Sequence, residues 1–280
     1  MSSPGRRGKR GVRRAVSEIA LSVRGVSATF NGMKFPLRSV LAVTLLFPLT
    51  LAYAQTPAAE TLMQRPTAPA AAHSVGPAGV DFATILPAPP SLGSLAAAAD
   101  LETVLQTQAW RTPEQVAWAK LTEKDEVFNN ASVLGSWFAK EHLPATVAFF
   151  KDLGDDVYAF GEAAKNLHPR IRPYLVDSRV QPCAERPTSN SYPSRHTMFA
   201  FVWAGVLADL FPEKRAELLE RAHRAAWGRI IGGVHFPSDV VAGRLMAEAF
   251  LGHLKQSAAY RAALEKVRTE VTPFLTKKAA

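Results

Sequence analysis

A chain of 280 residues has room for one sizeable domain or two small ones, and with 48% apolar residues it can bury a real core. A formal net charge of +9 would ordinarily point to nucleic acid or an anionic membrane as partner. Its distribution argues against both: residues 1–32 hold seven Lys/Arg and one acid, and residues 33–54 hold two more basic residues and no acid, which leaves about +1 for residues 55–280. The basicity belongs to the leader, and no nucleic-acid partner is expected.

In chain order, the first readable element starts at Met33. Lys34 and Arg38 form a positive n-region, residues 40–51 an apolar h-region, and Ala52-Tyr53-Ala54 a small-x-small cleavage site before Gln55. The apolar run is about a dozen residues, short of the ~20 that span a bilayer. Residues 33–54 therefore read as a secretory signal, with a periplasmic or secreted destination after cleavage near Ala54. The 32 residues ahead of Met33 are long for an n-region, so Met33 is expected as the true start and 1–32 as an extra leader that is not translated. Arg13-Arg14 lies too far from the h-region for a twin-arginine signal. Cys183 is the only cysteine, so no intrachain disulfide forms, and the thiol reads as half-buried filler.

Residues 55–80, rich in Ala, Pro and Thr, read as a linker. The texture changes at Asp81, and the Pro-rich stretch 86–90 marks an irregular entry to the folded part. Helical periodicity then predicts helices over 95–109, 113–121, 144–167, 197–210, 213–231, 238–254 and 258–269. Alternating β-branched runs are nearly absent. The expected architecture is one all-α, helical-bundle domain over 81–280. Apolar residues almost encircle 197–210, which places that helix at the centre. It is too short, and too interrupted by Asp209, to be a membrane span, so no span is expected in the mature chain.

Three clusters carry the chemistry: Lys165 with Arg172-Pro173, then Pro193-Ser194-Arg195-His196, then Arg229, His235 and Asp239. Lys165, Arg172 and Arg229 supply three strong cations, beside two histidines and a carboxylate. A transferring phosphoryl group spreads charge over three equatorial oxygens, so its catalysis is mostly positioning and electrostatic stabilisation. Lys165 offers a compact ammonium and Arg172 a planar fork, although either could simply be a solvated cation at a helix C-terminus. In the second cluster Pro193 suits a first helical turn with Ser191 as its cap. That would leave the amides of Ser194, Arg195 and His196 as anion donors, with the Ser194 hydroxyl beside them and His196 able to give a proton. An ordinary cap with a chance histidine is the bland alternative. In the third, Pro237 and Ser238 begin a helix, and Asp239 can hold one nitrogen of His235 so that the other points outward as a nucleophile. Asp239 as a mere N-terminal acid is the alternative there. A metal site of His196, His235 and Asp239, with His168 or His223, is the rival chemistry, and the nearby cations argue against it. A Ser194 nucleophile lacks the G-x-S-x-G context.

The spacing K-x6-RP, PS-x-H and R-x5-H-x3-D resembles the signature of the type 2 phosphatidic acid phosphatase superfamily, which also holds the vanadium-dependent haloperoxidases. Within it the chain is most similar to the secreted class A bacterial nonspecific acid phosphatases. Arg111-Thr112-Pro113-Glu114-Gln115, Leu143-Pro144, Phe149-Phe150 and Arg186-Pro187-Thr188 extend the likeness over roughly residues 81–255. The resemblance implies the acid phosphatase and vanadium haloperoxidase type of helical bundle. It implies that Lys165, Arg172 and Arg229 grip the phosphate, with Ser194 and the Arg195 amide completing the cradle. His235 would be the nucleophile that becomes a phosphohistidine, Asp239 its orienting partner and His196 the acid. No metal and no other cofactor is implied. The substrates would be soluble organic phosphate esters, and a homo-oligomer stays open. Two residues depart from the pattern: Arg195 stands where the family usually has Gly, and Gly228 where it usually has Ser. The Arg195 side chain is expected to add charge and bulk at the pocket mouth, and Gly228 to loosen the chain before Arg229. A lipid-phosphate or pyrophosphate phosphatase, a vanadate-dependent haloperoxidase and a catalytically impaired phosphate-binding protein remain the competing readings.

Overall fold

The computed structural model describes residues 75–124 and 126–276. The expected leader 1–32, the signal segment 33–54 and all but the last six residues of the linker lie outside the described residues. Among the described residues the regular structure is helical, with no strand. The helices are α1 (Phe82–Ile85), α2 (Leu95–Trp110), α3 (Pro113–Leu121), α4 (Ala131–Leu134), α5 (Pro144–Lys165), α6 (Pro173–Val176), α7 (Arg195–Leu210), α8 (Arg215–Ile231), α9 (Pro237–Leu254) and α10 (Ala258–Thr276).

Local chemistry sets several starts. Ser94 caps α2 by accepting from the Ala97 N–H at 3.1 Å. Thr112 and Gln115 cap α3 reciprocally, at 3.3 and 2.9 Å, behind Pro113. Six of the seven long helices stand within two residues of the predicted spans at either end. α1, α4 and α6 were not anticipated, because four residues are too few to show a helical period. Predicted helix 213–231 begins later: Pro212–Lys214 forms a separate 3-10 turn. Predicted helix 258–269 runs on to Thr276 with Pro273 inside it. The extension is held by packing, with Val271 buried and Phe274 stacked on Trp137 at 5.2 Å.

Helix α7 is buried on nearly every face, with Val202, Val206 and Leu207 wholly inaccessible. It packs against α8, α9 and α5, while α3 covers α8 and α10 covers α5. Trp203 of α7 meets Phe150 of α5 edge-on at 5.1 Å. Val75 is buried and Val80 packs on the same core, so the end of the Ala/Pro-rich stretch takes part in it. At Gly243, α9 comes against the start of α7 so closely that a Cβ there would lie 2.3 Å from the Ser194 carbonyl oxygen.

Leu143, the N-cap of α5, has no capping side chain. Glu270 of α10 serves instead, accepting from the N–H groups of Ala145 and Thr146 at 2.8 Å and from the Thr146 hydroxyl at 2.7 Å. Its negative charge also suits a helix N-terminus. Glu270→Ala is expected to cost about 1–2 kcal/mol, read as a lower urea midpoint at unchanged slope.

Candidate active site

Helix α5 delivers Lys165 at its C-terminus, where the residue is 3% exposed. It donates to the carbonyls of Asn190 at 2.6 Å and Pro193 at 2.8 Å, which leaves one of its three protons for another acceptor. Arg172, the N-cap of α6, is buried as well. Its Nε donates to Ser189 O at 2.9 Å and Nη2 to Asn190 O at 3.1 Å, while Nη1 donates to Val234 O at 2.9 Å. Neither residue is a solvated helix-end charge. Both bind the backbone that leads into the second cluster, and the Ser191 N–H adds a bond to Arg170 O at 2.8 Å.

That second cluster corrects an expectation. Pro193 is not in the first turn and Ser191 is not the cap: α7 starts at Arg195 and Ser194 is the N-cap. The Ser191 hydroxyl is engaged elsewhere, donating to Ile171 O at 3.2 Å. Ser194 Oγ accepts from the Thr197 N–H at 3.3 Å and the Thr197 hydroxyl at 2.9 Å, so its own proton is left to donate. The Ser194 N–H is spent on Asp239 O at 2.9 Å. That bond ties the start of α7 to the first turn of α9.

Arg229 lies in the last turn of α8 and is 1% exposed. The chain then turns at Gly233, whose φ of +74° suits glycine, and reaches His235 just ahead of α9. His235 Nδ1 is 3.2 Å from Asp239 Oδ2, which also accepts from the Phe236 N–H at 2.8 Å. A carboxylate only accepts, so Nδ1 carries the ring proton and Nε2 presents its lone pair. That nitrogen faces Arg172 Nη1 at 2.9 Å.

Reading the sequence missed the other partner of Asp239. Arg170 donates to Asp239 Oδ1 at 2.6 Å, to Ser238 Oγ at 2.7 Å and to Asp100 Oδ2 at 2.8 Å, with its guanidinium 4.1 Å over the Phe236 ring. Asp100 also accepts from the Ser238 N–H at 3.2 Å. Only the adjacency of Arg170 to Arg172 could have flagged it, and Asp100 carried no signal beyond being an acid in an alanine-rich helix.

His196 and Arg195 are half-buried, in contrast to the six buried residues Lys165, Arg172, Ser194, Arg229, His235 and Asp239. His196 Nε2 lies 3.2 Å from Glu123 O, and a cleft lined by Thr122, Asn129, Trp203 and Arg221 opens beside it. Arg195 turns its side chain away along α5, towards Glu162 and Tyr158. Gly228 is not a loose point: it lies inside α8, where a Cβ would sit 3.0 Å from Thr122 Oγ1. Glycine there lets α3 close on α8. Of the other histidines, His168 meets the Tyr192 ring and His223 the Phe201 ring. Among the described residues no group of three or more His, Cys, Asp or Glu side chains is gathered to hold a metal.

The electrostatics follow from so many cations in one buried place. Burial, then Arg172 and Arg195, pushes the Lys165 ammonium well below its ordinary pKa. Burial brings even Arg172 down to about 10. His235 is held well below 6.5 by burial, Arg172, Lys165 and Arg229. His196 is held down by burial, Arg229 and His235. Burial raises Asp239, opposed by Arg170 and by the Phe236 N–H. A multiply charged anion placed among these cationic groups would favour the charged form of each and so oppose all of the cationic shifts at once.

Residues 154–263 match the PAP2 superfamily. An acid phosphatase of Zymomonas mobilis is 31% identical over 195 residues, covering 65% of this chain and 72% of that protein. Non-specific acid phosphatases of Salmonella typhimurium and Providencia stuartii are 29% and 25% identical, over 66% and 68% of this chain and 78% and 81% of their own lengths. With an identity of that extent added to the family match, the chain belongs to the PAP2 superfamily, in the company of its bacterial acid phosphatases.

Proposed function

We propose that this protein is an exported acid phosphatase that hydrolyses soluble organic phosphomonoesters through a phosphohistidine on His235. Membership among the acid phosphatases supports the reaction class. The observation that carries the intermediate is the His235 ring itself, clamped by Asp239 on Nδ1 with Nε2 turned to the buried cations. In the first step the Nε2 lone pair forms the N–P bond as the P–O bond to the alcohol breaks, and His196 gives its proton to the departing oxygen. In the second step His196 takes a proton from water, whose oxygen attacks phosphorus, and the N–P bond breaks to release phosphate and neutral His235. Lys165, Arg172, Arg229, the Ser194 hydroxyl and the Arg195 N–H hold the three equatorial oxygens throughout. All the charge stabilisation comes from groups already in place, so little reorganisation is needed at the moment of reaction. No metal takes part in these steps. Export rests on the signal segment 33–54, and sequencing of the exported protein is expected to start at Gln55; an intact segment on exported material would overturn it.

The purified protein is expected to hydrolyse p-nitrophenyl phosphate, and His235→Ala to lower kcat by more than about 10³-fold with unchanged far-UV circular dichroism. Near-normal turnover in that folded variant would remove His235 from the chemistry.

The pH profile follows from signs. His235 attacks only when neutral, and its lowered pKa puts the acid limb of kcat/KM well under pH 6.5. His196 donates only when protonated, and because its pKa is also lowered the alkaline limb falls under pH 6.5 too. The expected kcat/KM profile is a bell with an acid maximum. Bound phosphate raises both pKa values, so the kcat profile lies at higher pH. A kcat/KM maximum on the alkaline side, measured with the same ester, contradicts these assignments.

A further inference from the structure

Arg195 sends its side chain out of the first turn of α7 and along the wall of α5. Gly161 makes the path: a Cβ there would lie 3.2 Å from Arg195 Cγ and 3.4 Å from its Cδ. The guanidinium then rests 4.1 Å over the Tyr158 ring and forms an ion pair with Glu162. Among the described residues its Nε finds no hydrogen-bond partner, so the ring and the carboxylate are what hold it. The two charged side chains are only 19% and 10% exposed, so water screens them weakly. Tyr158, Glu162 and Lys165 fall on one stripe of α5, since residues three and four apart share a helix face. The pair therefore sits beside the phosphate cradle, one turn from Lys165, with the Arg195 backbone in the cradle itself.

Its effect on the neighbours has two opposite parts. Arg195 lowers the pKa of Lys165 and Glu162 raises it, and Arg195 also bears on His196 and Arg172. An unpaired arginine here would be a further cation beside Lys165, Arg172 and Arg229, tightening the hold on phosphate and slowing product release. An unpaired Glu162 would be a buried anion next to the same site, repelling it. We propose that Arg195 and Glu162 are a matched pair that sets the phosphate affinity of the cradle, Glu162 parking the guanidinium on α5 and cancelling its charge. The pair replaces obstruction by Arg195 with a tunable, near-neutral wall. This rests on the phosphatase reading above.

The test is the dissociation constant of inorganic phosphate, by calorimetry on the full chain, for the parent, Glu162→Gln, Arg195→Met and the double variant. Methionine keeps the stem packed over Gly161, and glutamine keeps a neutral partner, so Glu162→Gln gives the sign even if Arg195→Met folds poorly. A single charge in partly screened surroundings is expected to shift affinity by about five- to tenfold. Glu162→Gln should tighten phosphate by that factor and lower both KM and kcat for p-nitrophenyl phosphate. Arg195→Met should weaken phosphate, and the double variant should return to within about twofold of the parent, as for a coupled pair. Single variants that move the constant in the same direction, or a Glu162→Gln protein indistinguishable from the parent, overturn the matched pair alone. A parent that binds no phosphate overturns the phosphatase reading with it.

Discussion

Lys165, Arg172 and Arg229 are buried around one histidine, and the carboxylate beside it, Asp239, is shared with a fourth cation, Arg170. Removing an ion from water costs several kcal/mol even after relaxation. Without compensation such a cluster would unfold the bundle or shed its protons. The chain answers first with backbone. Carbonyls of Ser189, Asn190, Pro193 and Val234 accept from Lys165 and Arg172, so the loops before α7 and α9 act as solvent for buried charge. What backbone cannot supply is full negative charge. Burial first, and the crowding of like charges second, hold the pKa values of Lys165, His196 and His235 down, and a phosphate dianion is suited to fill that deficit.

The helical frame matters because the charge has to converge from three places in the chain. The end of α5, the start of α7 and the α8–α9 turn come together around α7, the most buried helix. Two contacts set their register. Gly243 brings α9 to the Ser194 carbonyl, and the Ser194 N–H reaches the Asp239 carbonyl. The Ser194 hydroxyl and the His235–Asp239 couple are thus carried on directly bonded backbone rather than on independent loops, which is how a site achieves sub-ångström placement.

Much of this was legible in the sequence. The long amphipathic or all-apolar helices declared themselves by period, and the motif spacings named residues that the fold brings together. Three things were not legible, each for a physical reason. The capping register before α7 was ambiguous because Ser191 and Ser194 are both good caps; the bond from the Thr197 N–H to Ser194 Oγ and the bond from Ser191 to Ile171 decide between them. The Asp100–Arg170–Asp239 chain joins residues far apart in sequence, and such pairings leave no local pattern. The course of Arg195 depends on a glycine and a glutamate more than thirty residues upstream. It was expected to project into the pocket mouth, and it lies along α5 instead.

A site built this way calls for an oxyanion to complete its charge. The most direct test is calorimetric titration with tungstate, a tetrahedral dianion that does not itself titrate near neutrality, in buffers of different ionisation enthalpy at neutral pH. Binding with net proton uptake is expected, because the dianion raises the depressed pKa values of His196, His235 and Lys165. Binding without proton uptake would mean that the depressed pKa values are not coupled to the anion, and absence of binding would mean that the buried cations do not form an oxyanion site.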